Sequence, residues 1–310
     1  MSSELCVMEE DNKIQKPFLK WIGGKTQIIN NIINKIPKTM NNYHEPFLGG
    51  GSVLLAILSL QKQKKITIKN KIYACDINDS LINVYRHIQT DKESLYKYIE
   101  FYVKEYNSIK DVEINRKPTS IREAKTSKES YYYWIRNRFN TMDKTSIERS
   151  ALFMFINKTC FRGMYRESSK GYNVPFGHYK TTPTIIDKKE LDCISDLIKN
   201  VVFLNCDFNE SFKKIETGDF VYVDPPYVPE ENKKSFVGYV SEGFNLENHK
   251  ILFEEIKKLN KKKIKFILSN SNAKLVQDTF KEYKRDEITA RRAINSKNPG
   301  STSVELIIHN

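Results

Sequence analysis

The chain lacks the features that mark several common classes of protein. Among its 310 residues, five cysteines are scattered without a CxxC pair, which argues against a zinc site or a disulfide framework and favours a reducing compartment. No apolar stretch approaches the roughly 20 residues that a membrane-spanning helix needs. The first residues are acidic and polar, unlike a signal peptide. We therefore expect a cytoplasmic protein that contacts no membrane.

The chain is also short of acidic residues relative to basic ones. Lys and Arg number 51 against 38 Asp and Glu, which gives a formal net charge of +13. Such an excess favours a polyanionic partner, and the abundance of Lys, Asn and Ile is also typical of an AT-rich genome. The basic residues concentrate in two places, residues 157–180, where they alternate with aromatic residues, and residues 288–302, a predicted basic tail loop.

Strand and helix patterns alternate at both ends of the chain but not in its middle. Residues 88–195 show long, charged, aromatic-rich helical patterns, with a polar loop predicted at 113–128. This change predicts an α/β core with a separate helical lobe. Strands are predicted before the glycines at 49–51 and at 72–76, 201–204, 220–223, 264–268 and 304–308; helices are predicted at 25–36, 79–87, 95–106, 131–139, 147–156, 246–259 and 274–283.

An acid, two prolines and an aromatic residue follow the predicted strand at 220–223. Asp224 and the carbonyl of Pro225 can accept both hydrogens of an exocyclic amine and stabilise the positive charge that develops on its nitrogen during attack. Pro225 and Pro226 hold this turn rigid because proline fixes φ, and Tyr227 can stack on a flat base. The tetrapeptide predicts chemistry on an amino base, and a proline turn with a surface Asp is the alternative.

Three successive glycines, at positions 49–51, follow another predicted strand. They permit a tight turn and the close approach of a ligand, and Asp76 ends the next strand. This layout is typical of a nucleoside site, with glycines beneath the polar tail and an acid at the ribose hydroxyls. A plain strand-to-helix turn is the alternative. A phosphate-binding P-loop at Gly24-Lys25-Thr26 is rejected, because residue 19 is Leu where that motif requires glycine.

These ordered motifs resemble those of the Dam-type DNA adenine-N6 methyltransferases, the D12 class of the alpha group. Members of that family combine an FLKWxGGK opening, an EPFxGxGS loop and DPPY. The chain has FLKWIGGK at 18–25, EPFLGGGS at 45–52 and DPPY at 224–227, in the same order. YACDIN at 73–78, GYNVPFG at 171–177 and ILSN at 267–270 extend the resemblance, which covers nearly everything from about residue 17 onward.

The resemblance implies an α/β fold with a doubly wound, seven-stranded, Rossmann-like core that binds S-adenosylmethionine, and an inserted helical target-recognition domain. Residues 1–15 are expected to form a disordered leader. The resemblance implies a catalytic core formed by 16–87 and 196–310, and a target-recognition domain at 88–195 with a DNA-reading hairpin at about 161–180. The implied cofactor is S-adenosylmethionine, which becomes S-adenosylhomocysteine, and no metal is expected.

The resemblance also assigns residues to the cofactor by position. For Trp21 and Lys25 the alternatives are a core tryptophan and a lysine on a helix surface, and for Asp207 the alternative is a helix cap. The assigned residues are Trp21, Lys25, Phe47, Gly49, Gly51, Asp76, Asp207 and Asp224.

Double-stranded DNA is the implied substrate, with the target adenine flipped out of the duplex against Tyr227. Arg166 is the first candidate for a base contact, because a guanidinium can bond two acceptors of guanine. Contact with phosphate, or solvation alone, is the alternative. The candidates for DNA contact are Arg162, Arg166, Asn173, Pro175, Arg291, Arg292 and Lys297.

The hairpin departs from the pattern of GATC-methylating relatives. Arg162 replaces a frequent asparagine, Glu167-Ser168 replaces the usual neighbours, and the hairpin is one residue shorter before Asn173. The expected target is therefore GATC or another short palindrome. The alternatives are methylation of an amino group in RNA or of cytosine N4, and a catalytically silent DNA-binding protein. A monomer or dimer from a bacterium, phage or large DNA virus is expected, with a separate restriction endonuclease as a candidate partner.

Overall fold

The computed structural model of the chain describes residues 13–229, 244–291 and 302–310. Within them, a seven-stranded sheet is flanked by two small ladders, which pair β1 with β3 and β5 with β6. The strands are β1 (Thr39–Met40), β2 (Tyr43–Glu45), β3 (Thr67–Ile68), β4 (Ile72–Asp76), β5 (Glu167–Ser168), β6 (Gly171–Tyr172), β7 (Val201–Asn205), β8 (Phe220–Val223), β9 (Lys265–Ser271), β10 (Lys284–Arg291) and β11 (Thr302–His309).

The main sheet has the order β10-β11-β9-β8-β2-β4-β7. The five strands from β9 to β7 are parallel, whereas β11 runs antiparallel to β9 and β10 antiparallel to β11. The chain proceeds from β2 outward through β4 to β7 and then returns to β8 on the other side of β2. This reversal creates a topological switch point between β2 and β8, and ligands of open α/β sheets bind outside the carboxyl ends of the strands at such a point.

Helices connect the strands, and short 3-10 turns lie at Lys25–Gln27 and Phe161–Gly163. The helices are α1 (Ile29–Ile33), α2 (Ser52–Lys62), α3 (Asp79–Thr90), α4 (Lys92–Ser108), α5 (Ile121–Ala124), α6 (Lys128–Thr141), α7 (Ile147–Thr159), α8 (Lys188–Ile198), α9 (Phe208–Phe212), α10 (Leu246–Lys261) and α11 (Lys274–Thr279). None of the helices in the described part of the chain is long and apolar enough to cross a membrane.

Buried apolar side chains form two clusters. One contains Leu54 and Tyr85 and continues to Phe155 of α7, and the other contains Phe253 of α10 and Leu268 of β9. The mixed α/β fold with a mostly parallel central sheet is therefore confirmed. The helices at 88–195 share the first cluster with the sheet, and their status as a separate target-recognition domain stays a prediction.

Several local predictions differ from the structure. The loop expected at 113–128 contains α5, whose first turn is capped by the side chain of Ser120. The helix expected at 274–283 ends at Thr279, and the basic tail expected to be a loop from residue 288 begins inside β10. Of the expected leader, residues 1–12 lie outside the described residues, and the backbone N–H of Gln15 donates to Ser59 Oγ at 3.0 Å.

A buried side-chain contact joins β2 to the residue that directly precedes β8. Nε2 of His44 lies 2.8 Å from Oδ2 of Asp219, and neither side chain is exposed. Asp219 also accepts hydrogen bonds from the backbone and side chain of Asn42 and from the backbone N–H of Glu216. Burial raises the pKa of Asp219, but these bonds outweigh it and leave the pKa below its usual value.

We expect Asp219→Asn to lower the free energy of unfolding at neutral pH by about 1.5–3 kcal/mol, the range for hydrogen bonds to charged groups. Because the pKa of Asp219 is lower in the folded state, the contribution of its charge is complete above the usual pKa of about 3.9 and is lost as the pH falls through the folded value. Urea unfolding at neutral pH and below about pH 3.9 measures this. A difference between wild type and variant that stays constant with pH would contradict the prediction.

Candidate active site

Three acidic side chains lie where parallel strands end beside the switch point. Glu45 is the last residue of β2, Asp76 is the last residue of β4, and Asp224 follows β8 directly. Burial raises the pKa of Glu45 well above its usual value, and the charges of Asp224 and Asp76 raise it further. The carboxyl groups therefore influence one another at a single edge of the sheet.

Asp224 forms an ion pair with Lys25. Nζ of Lys25 lies 2.8 Å from Oδ2 of Asp224, and the two side chains are only 4% and 18% exposed. The same ammonium donates to the carbonyl of Gly23 and lies 5.0 Å from the centre of the Tyr227 ring. Burial raises the pKa of Asp224 to about 6, and the charge and hydrogen bond of Lys25 oppose that rise. Lys25 thus keeps a buried carboxylate largely ionised at neutral pH.

The segment after Asp224 is anchored by the neighbouring strands. The hydroxyl of Tyr227 donates to Oε2 of Glu305 in β11 at 2.9 Å. The backbone N–H of Val228 donates to Oδ1 of Asn270, and the hydroxyl of Ser271 donates to the carbonyl of Val228. The end of β9 therefore fixes the backbone that leaves the tetrapeptide, in which Pro225 is buried and Pro226 exposed.

The carboxylate of Asp76 fixes the start of the glycine loop by a hydrogen bond. Its Oδ2 accepts the backbone N–H of Gly49 at 2.9 Å, and its Oδ1 accepts the backbone N–H of Asn78 at 2.9 Å. Burial raises the pKa of Asp76, and these two hydrogen bonds act in the opposite direction. The structure thereby brings together the two parts of the predicted nucleoside site.

The turn into α2 requires glycine at position 51. Gly51 has φ +70°, in the left-handed region, and a Cβ placed there would lie 2.2 Å from the hydroxyl oxygen of Tyr85. That hydroxyl donates to the carbonyl of Gly50 at 3.0 Å. Gly51 is the N-cap of this helix, and Ser52 is its first residue.

Trp21 lies between the glycine loop and the hairpin that β5 and β6 form. A Cβ placed on Gly49 would lie 3.0 Å from Cδ1 of the Trp21 indole. The indole also contacts the ring of Tyr165, with 5.5 Å between ring centres and an angle of 32°. Trp21 is thus a side chain of the loop surface, packed partly against the core.

Aromatic side chains line the neighbouring strand ends. Phe47 stacks on Phe208 at 5.5 Å and meets Phe244 edge-on at 5.7 Å. Asp207 caps α9, because its Oδ1 accepts the backbone N–H of Asn209 at 2.9 Å. The capping alternative for Asp207 is therefore observed, and its contact with a cofactor stays a prediction.

The hairpin brings four of the predicted DNA-contacting residues together. Arg166 donates through Nε to Oδ1 of Asn173 at 2.6 Å and through Nη2 to the carbonyl of Asn173 at 3.2 Å. Arg162 is exposed and has φ +56°, and the carbonyl of Pro175, which is also exposed, accepts the N–H of Phe161 at 2.8 Å. Contact of any of these residues with DNA stays a prediction.

The predicted basic tail is not brought to this hairpin by any described contact. Arg291, expected in a loop, is the last residue of β10 and pairs with Thr302 of β11. The side chain of Arg291 and the whole of Arg292 and Lys297 lie outside the described residues.

Comparison with known proteins decides the family. A family model described as D12 class N6 adenine-specific DNA methyltransferase matches residues 21–294. The chain belongs to this family. The predicted resemblance is thereby confirmed, and with it the class of enzyme.

Relatives that span nearly the whole length support the same assignment. The D12 methyltransferase is 36% identical to the type II methyltransferase M.MjaIII of Methanocaldococcus jannaschii, over 91% of this chain and 93% of the relative. It is 33% identical to the type II methyltransferase M1.LlaDCHI of Lactococcus lactis, over 97% and 98%. It is 31% identical to a DNA adenine methylase of Haemophilus influenzae, over 92% and 89%.

Two residues beside the candidate site of this D12 methyltransferase were not predicted from the sequence. Ile77 directly follows Asp76 and is 71% exposed, although it is a large apolar residue. Its place after a strand-end acid is visible in the sequence. Glu305, in contrast, meets Tyr227 only through the order of the strands, and no local pattern marks it.

We expect Gly51→Ala to lower the free energy of unfolding by about 1–3 kcal/mol, the range for a residue held in an unfavourable backbone region. In a Tyr85→Phe background the same change should cost less, because the hydroxyl that opposes the added Cβ is absent while the backbone strain remains. Chemical unfolding of the two single variants, the double variant and the wild type measures both costs. Equal costs in the two backgrounds would show that Tyr85 does not restrict position 51.

Proposed function

We propose that the chain transfers the methyl group of S-adenosylmethionine to N6 of an adenine flipped out of double-stranded DNA. One observation carries this proposal. The buried Asp224 carboxylate is held 2.8 Å from Lys25 at the switch point, on the same edge of the sheet as Asp76 and the loop that begins at Gly49. A carboxylate kept ionised in a partly dry site can stabilise a positive charge that develops on a neighbouring nitrogen.

The residues beside Asp76 fit S-adenosylmethionine. The carboxylate of Asp76 is fixed by backbone N–H groups, and its remaining lone pairs suit ribose hydroxyls. Ile77 presents 71% of its surface next to that acid, which suits one face of an adenine ring. Trp21 and the glycines from Gly49 to Gly51 would lie beneath the amino acid part. When bound, S-adenosylmethionine supplies an electrophilic methyl group on a sulfonium.

The tetrapeptide supplies the groups that activate the amine. The lone pair of adenine N6 is delocalised into the ring, so the amine is a poor nucleophile. Asp224 and the carbonyl of Pro225 accept its two hydrogens and draw the nitrogen toward tetrahedral geometry. Tyr227 stacks on the flipped base. This step needs no covalent intermediate with the chain, and the Asp224 carboxylate is placed to accept the proton that the nitrogen loses after methyl transfer.

The hairpin and the net charge support a DNA substrate. The formal charge of +13 attracts a polyanion, and an arginine can read guanine through two hydrogen bonds. Arg166 already bonds Asn173 across the hairpin, so its guanidinium is oriented before any base arrives. The expected target is GATC or another short palindrome. The names of two relatives as type II methyltransferases support a modification role beside a separate restriction endonuclease.

Methylation of DNA of mixed sequence with labelled donor, followed by mapping of the modified bases, tests the proposal. We expect N6-methyladenine within one short motif. Asp224→Asn should lower the rate about 100-fold or more, because a charge aimed at the transition state is lost, while DNA binding persists. Label found on cytosine or only on RNA, or a near-normal rate in Asp224→Ala that still binds DNA, would overturn it.

The acidic limb of the pH–rate profile reports the ionisation of Asp224. The wild type should lose activity as the pH falls through about 6, where this carboxyl gains a proton. Lys25→Met should move this limb to higher pH, because Lys25 lowers the pKa of Asp224. The measured quantity is the pH at the midpoint of the acidic limb of kcat/KM for S-adenosylmethionine. This midpoint can be compared between variants even where their maximal rates differ.

Lys35→Met is the matched control for this shift, since it removes a lysine that pairs with Asp286 of β10 instead. Its profile should match that of the wild type. A limb that stays in place in Lys25→Met would show that Asp224 is not the group whose ionisation limits the rate.

A further inference from the structure

We propose that Glu305 is a positioning residue of the methyl-transfer site. By accepting the phenolic hydrogen of Tyr227, Glu305 holds the Tyr227 ring in the orientation that stacks on the target base. The inference rests on the proposed function and adds to it. Stacking needs only an aromatic ring, and a phenylalanine would provide one. Stacking therefore does not explain the hydroxyl of Tyr227, whereas its hydrogen bond to Glu305 of β11 does.

The contact is direct and is set by the order of the strands. The hydroxyl oxygen of Tyr227 lies 2.9 Å from Oε2 of Glu305. Glu305 is placed opposite Ser271 by the antiparallel pairing of β11 with β9. The hydroxyl of Ser271 in turn donates to the carbonyl of Val228, the residue that follows Tyr227. The ring and the backbone that follows it are therefore fixed by two adjacent strands.

The hydrogen bond has a defined direction. Both partners are partly buried, and burial, together with the charges of Asp224 and Glu305, raises the pKa of the Tyr227 phenol well above its usual value. The phenol therefore stays protonated and donates, while Glu305 accepts. A bond from a hydroxyl to a carboxylate is stronger than a bond between neutral groups.

The ring of Tyr227 is also linked to the activating carboxylate. The Lys25 ammonium that pairs with Asp224 lies 5.0 Å from the centre of the ring. A rotation of the ring would change this cation–π contact. The hydroxyl bond to Glu305 thus orients a ring that also contacts the Lys25 ammonium of the Lys25–Asp224 pair.

A double-mutant cycle distinguishes positioning from a merely structural role. The variants are Glu305→Ala, Tyr227→Phe and their combination, with Glu305→Gln as the conservative variant, which keeps an acceptor oxygen. Glu287→Ala is the matched control, because it removes an exposed glutamate from the neighbouring strand β10. The measurements are the single-turnover rate of adenine methylation, the affinity for S-adenosylmethionine by calorimetry, and the unfolding midpoint.

We expect Glu305→Ala and Tyr227→Phe to lower the single-turnover rate by similar factors, about 10-fold or more for a lost bond to a charged group. In the Tyr227→Phe background, Glu305→Ala should cause no further loss, because its partner is already gone. Glu305→Gln should restore most of the rate, and donor affinity should change little. Glu287→Ala should match the wild type.

The outcomes separate this inference from the function on which it rests. Failure of the wild type to methylate adenine would overturn the proposed function. An active wild type with an unimpaired Glu305→Ala variant would overturn the inference alone. Full additivity of Glu305→Ala and Tyr227→Phe would do the same, because Glu305 would then act on a group other than the hydroxyl. Parallel losses of rate and unfolding midpoint, with no rescue by glutamine, would also overturn it.

Discussion

The ion pair of Lys25 and Asp224 is the interaction on which the candidate site depends. A carboxyl group can stabilise a neighbouring positive charge only while it is ionised, yet burial raises the pKa of Asp224 to about 6. The ammonium 2.8 Å away opposes that rise. Desolvation strengthens the field of the carboxylate only while it stays ionised. Lys25 therefore allows Asp224 to stay ionised although it is largely shielded from solvent.

Sheet topology explains why so many separate segments supply this site. The chain leaves β2 in one direction and returns to β8 in the other, so that Glu45 and Asp224 end neighbouring parallel strands. Asp76 ends the strand on the far side of β2. The antiparallel addition of β11 beside β9 then brings Glu305 to the same edge. The order of the strands thus brings these four acidic residues to one edge of the sheet, and the loops that follow the strands need only reverse the chain direction.

The sequence was informative where a residue type is dictated by its immediate neighbours. Buried strands followed by acids identified Asp76 and Asp224, and the left-handed turn at Gly51 explains the glycine loop. Strand β10 was missed because its residues are mostly charged, which suits the outermost strand of a sheet but gives no apolar pattern. Glu305 was missed because it is 78 residues from Tyr227 and meets it only through the sheet.

The opening segment at 18–25 connects the site to the hairpin through contacts that local sequence does not show. The backbone N–H and carbonyl of Lys20 are both bonded by the side chain of Asn157, which is buried in α7. Trp21 packs between the glycine loop and Tyr165 of the hairpin, and Lys25 reaches Asp224. One short segment is therefore held at three points, on the hairpin side, at the glycine loop and at the Asp224 carboxylate. A movement of the hairpin that disturbed Trp21 or Lys20 would strain the segment that positions Lys25, because successive residues of one chain cannot shift independently.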